Sequence, residues 1–231
     1  MPQETGGLIE IVSATRVAEA DFLTKTALGR SLRRLAHDKR LVARIAYANS
    51  RPLPEVFNAR LSAADGADVV VFVHDDVWLD DYFLADRVIE GLRSYDVIGL
   101  AGNRRRVPGQ PAWLFVDAAF RRDDPRNLSG SVAHGPYPFG TVSAFGPAPA
   151  ECELLDGVFL ACRKSVVAAK GVAFDPRFDF HFYDLDFCRT ARAKGLRLGT
   201  WPICITHQSE GAFNNAPWKQ RYRDYLEKWG G

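Results

Sequence analysis

Apolar and polar positions alternate between two rhythms over the first hundred residues. Leu8 to Thr15 is a mostly apolar run of strand length, and Val17 to Ala36 repeats Phe22, Leu23, Ala27 and Leu28 at helical spacing. The same alternation recurs, with a strand over Val42 to Ala48, a short helix over Pro54 to Ala64 opened by Pro54, and a strand over Ala67 to His74. Asp80 or Asp81 then caps a helix running to about Tyr95, and Val97 to Ala101 supplies a fourth strand. Strands and helices of these lengths predict right-handed crossovers in an α/β, Rossmann-like unit, with a mostly parallel central sheet flanked by helices.

The rhythm stops at about Arg104. Seven of the thirteen prolines fall between Pro108 and Pro149, which predicts a long loop-rich excursion as far as Ala150. Trp113, Phe115, Phe120, Tyr137, Phe139 and Phe145 argue against disorder there; an acceptor-binding excursion is the preferred reading, with packing against the core as the plainer alternative. Order returns with an extended segment over Cys152 to Cys162, a short helix near Ser165 to Lys170, a helix over Asp184 to Lys194 stopped by Gly195, and a strand over Leu196 to Thr206. The last helix, Ala216 to Trp229, places Trp218, Tyr222, Tyr225 and Trp229 on one stripe. Packing onto the domain explains such a stripe better than a lipid interface, because Asp224 and Glu227 dilute its basic residues.

Composition narrows the picture. With 231 residues the chain suits one domain, and a net charge of +2 does not suit a general nucleic-acid binder. Met1 to Gly7 lacks the character of a secretory signal, and no apolar run is long enough to span a bilayer. Cys152, Cys162, Cys188 and Cys204 form neither a Cys-x-x-Cys pair nor a zinc-like cluster, so free thiols in a reducing, cytoplasmic compartment are expected.

Candidate chemistry gathers where strands end. Val69 to Asp76, Val-Val-Val-Phe-Val-His-Asp-Asp, is an apolar run that stops in two adjacent carboxylates. Two such charges about 4 Å apart repel by roughly 4 kcal/mol at an effective dielectric near 20, so they call for a cation, a shared proton or water. An isolated Asp-Asp more often caps a turn, but its position at a strand end shifts the balance toward function. In parallel α/β sheets ligands bind beyond the carboxyl ends of the strands, which brings Ser13 to Arg16, Asn49 to Arg51, His74 to Asp76 and Gly102 to Arg106 into consideration. Mg²⁺ or Mn²⁺ with a diphosphate fits the carboxylates. Among Arg104, Arg105 and Arg106 at least two are expected to be solvated rather than bound to an anion.

These residues resemble the GT-A glycosyltransferases, specifically family 2-like proteins, over nearly the whole chain. His74-Asp75-Asp76 is similar to the family's third-strand Asp-x-Asp motif, with His74 at its first acidic position, Asp75 at its variable one and Asp76 at its second. The opening Ile9-Glu10-Ile11-Val12-Ser13, the Asn49 to Asn58 segment and Leu155-Asp156-Gly157-Val158-Phe159-Leu160 also resemble the family. So does Phe174-Asp175-Pro176-Arg177-Phe178, followed by Tyr183-Asp184-Leu185-Asp186-Phe187-Cys188, where Tyr183 stands in place of the usual glutamate.

The resemblance implies a single GT-A domain over residues 1–231, with a nucleotide-binding half at 1–103 and an acceptor-side half at 104–231. It implies a metal-dependent, inverting transfer of a sugar from a nucleoside-diphosphate sugar to a hydroxyl of a glycan, a lipid-linked or another acceptor. In that scheme Asp76 and His207 hold Mn²⁺ or Mg²⁺, and Ser13, Thr15, Asn49, His74, Asp75, Asp156 and Gly157 meet the donor. Asp184 is the general base, while Asp186 is as well suited to capping the helix. Gln220-Arg221-Tyr222-Arg223 is similar to the signature of processive synthases, but Asp224 stands where tryptophan belongs, which excludes the processive reading; peripheral membrane contact stays open. Two other classes remain: a nucleotide-sugar-binding domain without turnover, motivated by His74 and Tyr183, and a metal-dependent phosphohydrolase.

Overall fold

The computed structural model describes residues 7–209, 211 and 213–230. Strand β1 (Ile9–Ala14) leads into two helices, α1 (Glu19–Lys25) and α2 (Ala27–Arg34), where the spacing predicts one. The break falls at Thr26, whose Oγ1 donates to the Phe22 carbonyl and accepts from Gly29 N–H at 2.9 Å, capping α2 as it closes α1. Gly29 permits the tight corner, since a Cβ there would lie 2.1 Å from the Phe22 oxygen. Next come β2 (Leu41–Ala46), α3 (Leu53–Leu61), β3 (Val69–Val73) and a short strand absent from the sequence expectation, β4 (Val77–Leu79).

Helix α4 (Leu84–Ser94) follows, and neither aspartate caps it in the expected way. Asp81 accepts from Phe83 N–H at 2.9 Å in the turn before the helix, whereas Asp80 is buried and receives the Thr206 hydroxyl at 2.6 Å and Phe139 N–H at 3.0 Å. The expected strand over Val97 to Ala101 is two, β5 (Val97–Gly99) and β6 (Ala101–Asn103), which part at Leu100 to enter different sheets. The Arg104 to Ala150 region is not loop throughout: after a 3₁₀ turn at Pro125–Asn127 it forms the hairpin β7 (Leu128–His134) and β8 (Thr141–Gly146).

The chain continues through β9 (Ala150–Cys152), β10 (Leu154–Leu155), β11 (Phe159–Arg163), α5 (Lys164–Ala169) and α6 (Tyr183–Ala193). The single strand expected over Leu196 to Thr206 is two, β12 (Leu198–Thr200) and β13 (Ile205–His207), before α7 (Ala216–Trp229). A seven-stranded sheet runs β2-β1-β3-β11-β5-β12-β9, and a second runs β10-β6-β7-β13-β4 with β8 beside β7.

The main sheet is mixed rather than mostly parallel. β1 is parallel to β2 and β3, but β11 lies antiparallel between β3 and β5, and β9 antiparallel to β12. This insertion positions the chemistry: with β11 reversed, its beginning sits at the carboxyl end of β3, where Phe159 faces Val73 and His74 N–H donates to the Val158 carbonyl at 3.3 Å.

β3 is buried at every position, which explains its unbroken run of Val and Phe. Its Phe72 joins Phe57, Phe174, Phe187 and Tyr183 in an aromatic core, mostly edge to face, with Phe174 stacked on Phe187 at 4.3 Å. The α7 stripe packs inward, as its composition suggests: Trp218, Tyr222 and Tyr225 each lie 5.2 to 5.6 Å from the ring of Phe182. No helix among the described residues is long and apolar enough to cross a membrane.

Candidate active site

Three chain segments meet at the end of β3. The first is the His74-Asp75-Asp76 turn. The second is Asp156-Gly157, which the reversed β11 brings alongside. The third is His207, the last residue of β13, which pairs antiparallel with β4 so that His207 faces Val77 and Gln208 N–H donates to the Asp76 carbonyl at 3.0 Å. One ligand atom each from His74, Asp76 and His207 lie within 4.8 Å of one another. His207 Nε2 is 3.3 Å from Asp76 Oδ1 and 3.0 Å from the Ser209 hydroxyl.

Burial works to raise the Asp76 carboxyl, but His207, His74 and Ser209 outweigh it and hold the group at about 2. It is a carboxylate across the physiological range. Its Oδ1 is buried without a well-aligned hydrogen-bond donor. An ionised oxygen in that condition costs several kcal/mol unless a charge offsets it. The two imidazoles beside it offer lone pairs when neutral, and burial keeps His74 toward the neutral form. Two imidazoles and one carboxylate, whose buried Oδ1 lacks a well-aligned donor, fit a divalent metal ion.

The fourth segment is the start of α6. Phe182 precedes it in a left-handed conformation (φ 66°), which costs roughly 1 kcal/mol or more for a non-glycine residue. The rings of α7 clamp it there. This turn sends Tyr183 and Asp184 inward under Gly157: Asp184 Oδ2 accepts from Gly157 N–H at 2.9 Å, and the Tyr183 hydroxyl donates to the Gly157 carbonyl at 2.8 Å. Only glycine fits between them, because a Cβ at 157 would lie 2.5 Å from the Tyr183 hydroxyl. The same hydroxyl is 2.8 Å from His74 Nε2. One continuous set of hydrogen bonds therefore joins Asp184 to the histidine cluster.

Burial, followed by the negative charge of Asp156, pushes the Asp184 carboxyl up to about 7, against the backbone N–H groups of Leu185, Gly157 and Asp184 itself. Asp156 is held apart from it: its Oδ1 accepts from Val158 N–H at 2.9 Å and its Oδ2 from the Trp113 indole at 2.8 Å. Asp186, two residues on, faces away and is tied to α7 by Lys228 at 2.7 Å and the Trp229 indole at 2.8 Å.

The ends of β3 and β13, the Asp156-Gly157 segment and the start of α6 border one cavity of about 600 Å³. Its lining includes His74, Asp75, Asp76, Asp156, Gly157, Asp184 and His207 from the sequence reading. Ser13, Thr15 and Asn49 are not on it. Ser13 is buried inside β1, Thr15 Oγ1 accepts from Val17 N–H, and the Asn49 side chain closes its own turn onto Arg51, so that Ala14 is the part of this strand end that reaches the cavity. Arg104, Arg105 and Arg106 do not line it either. Arg105 instead grips buried Asp123, whose carboxyl it holds well below the usual range.

Trp113, named in the sequence among the aromatics of the excursion, lines the cavity, and so do Arg122, Phe180 and His134, which sequence reasoning did not single out as site residues. Trp113 and Arg122 belong to the proline-rich excursion, which is pinned by Asn103 Nδ2 donating to the Trp113 carbonyl and to Asp123, both at 2.9 Å. Part of the wall is aromatic, where Trp113, beside Asp156, meets Phe145 and where Phe115 and Phe213 lie 5.9 Å apart.

No protein-family profile and no curated protein matches the chain. Among solved structures it is similar to GalNAc-T7 with UDP, GalNAc and Mn²⁺, at a TM-score of 0.54 and 10% identity, over 96% of this chain and 49% of that one. The chain thus spans about half the length of that protein. It also aligns with the catalytic domain of Drosophila β1,4-galactosyltransferase 7 in complex with xylobiose, at a TM-score of 0.49, 12% identity, and 94% and 79% coverage. A third alignment, to A197 from STIV, has a TM-score of 0.45 and 11% identity, with 90% and 97% coverage. The last two are too loose to carry an argument. The first identifies the architecture: this mixed α/β chain has a GT-A-like glycosyltransferase fold.

Proposed function

We propose that the chain is a metal-dependent, inverting glycosyltransferase, similar to family 2, that moves a sugar from a nucleoside-diphosphate sugar to an acceptor hydroxyl. The observation that carries this reading is the cavity shared by the His74, Asp76 and His207 cluster and a buried carboxyl, Asp184, poised near 7. A group with that pKa is an effective base at neutral pH, since it is half ionised yet still takes a proton readily. Asp184 accepts the acceptor's hydroxyl proton as its oxygen bonds to the anomeric carbon. The bond from that carbon to the diphosphate oxygen breaks, and its electron pair leaves with the diphosphate, inverting the configuration.

A divalent ion held by Asp76, His207 and His74 would offset the charge of the departing diphosphate. The nitrogen-rich donor set favours Mn²⁺ over Mg²⁺. Gly157 N–H keeps the Asp184 oxygen in place, Asp156, oriented by Val158 N–H and the Trp113 indole, keeps lone pairs on the cavity wall to accept from a sugar hydroxyl, and Arg122 offers a fixed charge to phosphate. Asp75 and the Ala14 strand end border the donor side, and the aromatic wall suits the carbon face of a sugar acceptor. The four free cysteines suit a reducing compartment such as the cytoplasm.

The test is NMR of the product formed from a panel of nucleotide sugars and glycan acceptors with Mn²⁺. An anomeric centre inverted relative to the donor is expected, and a retained one overturns the assigned role of Asp184. Donor binding without turnover would identify a binding domain, and phosphate release without an acceptor would identify a phosphohydrolase.

A further inference from the structure

The hydrogen bonds around Tyr183 decide which nitrogen His74 has to offer. A phenol has one proton, and that of Tyr183 goes to the Gly157 carbonyl at 2.8 Å, since a carbonyl can only accept. The contact at 2.8 Å between the Tyr183 oxygen and His74 Nε2 therefore has its proton on the imidazole. His74 is the Nε2–H tautomer, and the lone pair it has left is on Nδ1. Tyr183 itself is 3% exposed and packed against Phe57 and Phe174, so its hydroxyl has little freedom to turn elsewhere.

We propose that Tyr183 is a positioning residue: by fixing the Nε2–H tautomer and the ring orientation of His74, it makes His74 Nδ1 a full third ligand beside Asp76 and His207, and couples that ligand through Gly157 to the base Asp184. The inference rests on the metal-dependent reading above. Every participant is present in this chain, and the link runs Asp184 Oδ2 to Gly157 N–H, Gly157 carbonyl to Tyr183 hydroxyl, and Tyr183 oxygen to His74. Groups that orient a ligating imidazole typically change metal affinity roughly 10- to 100-fold when removed.

The experiment combines ¹⁵N NMR of the metal-free protein with Mn²⁺ titration, in which electron paramagnetic resonance reports free Mn²⁺. Wild type, Tyr183→Phe, His74→Ala and the double variant are compared. Tyr183→Phe keeps the ring and its packing and removes only the hydroxyl. In wild type the NMR is expected to find the proton of His74 on Nε2. Tyr183→Phe should weaken Mn²⁺ binding roughly tenfold, yet cost less than about twofold when His74 is already alanine, because its effect passes through that ring. Wild type with the proton on Nδ1, Tyr183→Phe binding Mn²⁺ as wild type does, or an undiminished Tyr183→Phe effect in the His74→Ala background would each overturn the proposal. If wild type binds no Mn²⁺ even with UDP present, the metal-dependent reading itself falls, and the proposal with it.

Discussion

A carboxyl buried at the first turn of α6, with Asp156 beside it, keeps its proton to about pH 7. If Asp184 is the base, kcat/KM should rise with pH through about 7 and level off above it, and Asp184→Asn should remove at least 10²-fold of the rate. A pH–rate profile without an ionisation in that range would contradict the assignment. Stability follows the opposite sense. Between the ordinary value of 3.8 and about 7 the folded protein holds a proton that the unfolded chain has released, so this group lowers stability as pH rises across that window. Asp184→Asn should therefore gain on wild type between pH 4 and pH 8, by as much as ~4 kcal/mol at about 1.4 kcal/mol per pH unit. Urea denaturation at the two pH values checks the sign, and with it the raised pKa of Asp184.

At the scale of elements, α7 holds the machinery still. Its rings keep Phe182 in the left-handed turn that starts α6, and Lys228 and Trp229 both bind Oδ1 of Asp186, which is 0% exposed. Lys228→Met would leave that carboxylate short of its counter-charge and should destabilise the protein by about 2 kcal/mol. Pairing it with Asp186→Asn should return much of the loss, as urea midpoints of the single and double variants will register. The α7 stripe was legible in the sequence because four aromatics at helical spacing leave little choice of face. The β3 strand was legible because five apolar residues in a row end in His-Asp-Asp.

Other elements left weaker traces. The hairpin β7–β8 was hidden because its buried polar positions imitate a loop: Ser129 is fully buried, and its hydroxyl is satisfied by the Pro147 carbonyl and Thr200. The Thr26 break between α1 and α2 depends on one side-chain cap inside a continuous helical pattern. The antiparallel seat of β11 leaves no mark in local periodicity, since a buried strand reads alike in either direction. For the same reason Asp156 and Gly157 were recognised by resemblance and Trp113 only as one aromatic of a long excursion, whereas Arg122, delivered by the same stretch without periodicity, was not singled out as a site residue.

At the scale of the whole molecule, the two sheets meet so that one supplies His74 and Asp76 from the turn after β3, and the other His207 from β13. A metal ion would join them. Mn²⁺ should therefore raise the melting temperature, more so with a nucleoside diphosphate, and a ligand at a hundred times its dissociation constant would stabilise by about 2.7 kcal/mol. Asp76→Asn should lose that metal-dependent increment, while Asp184→Asn should keep it. The most direct measurement is nucleoside-diphosphate release from a nucleotide-sugar panel, with and without Mn²⁺ and a hydroxyl acceptor. Release is expected to require both Mn²⁺ and acceptor and to vanish in Asp184→Asn. Release that is indifferent to the acceptor, or undiminished by Asp184→Asn, would contradict a glycosyltransferase built on this site.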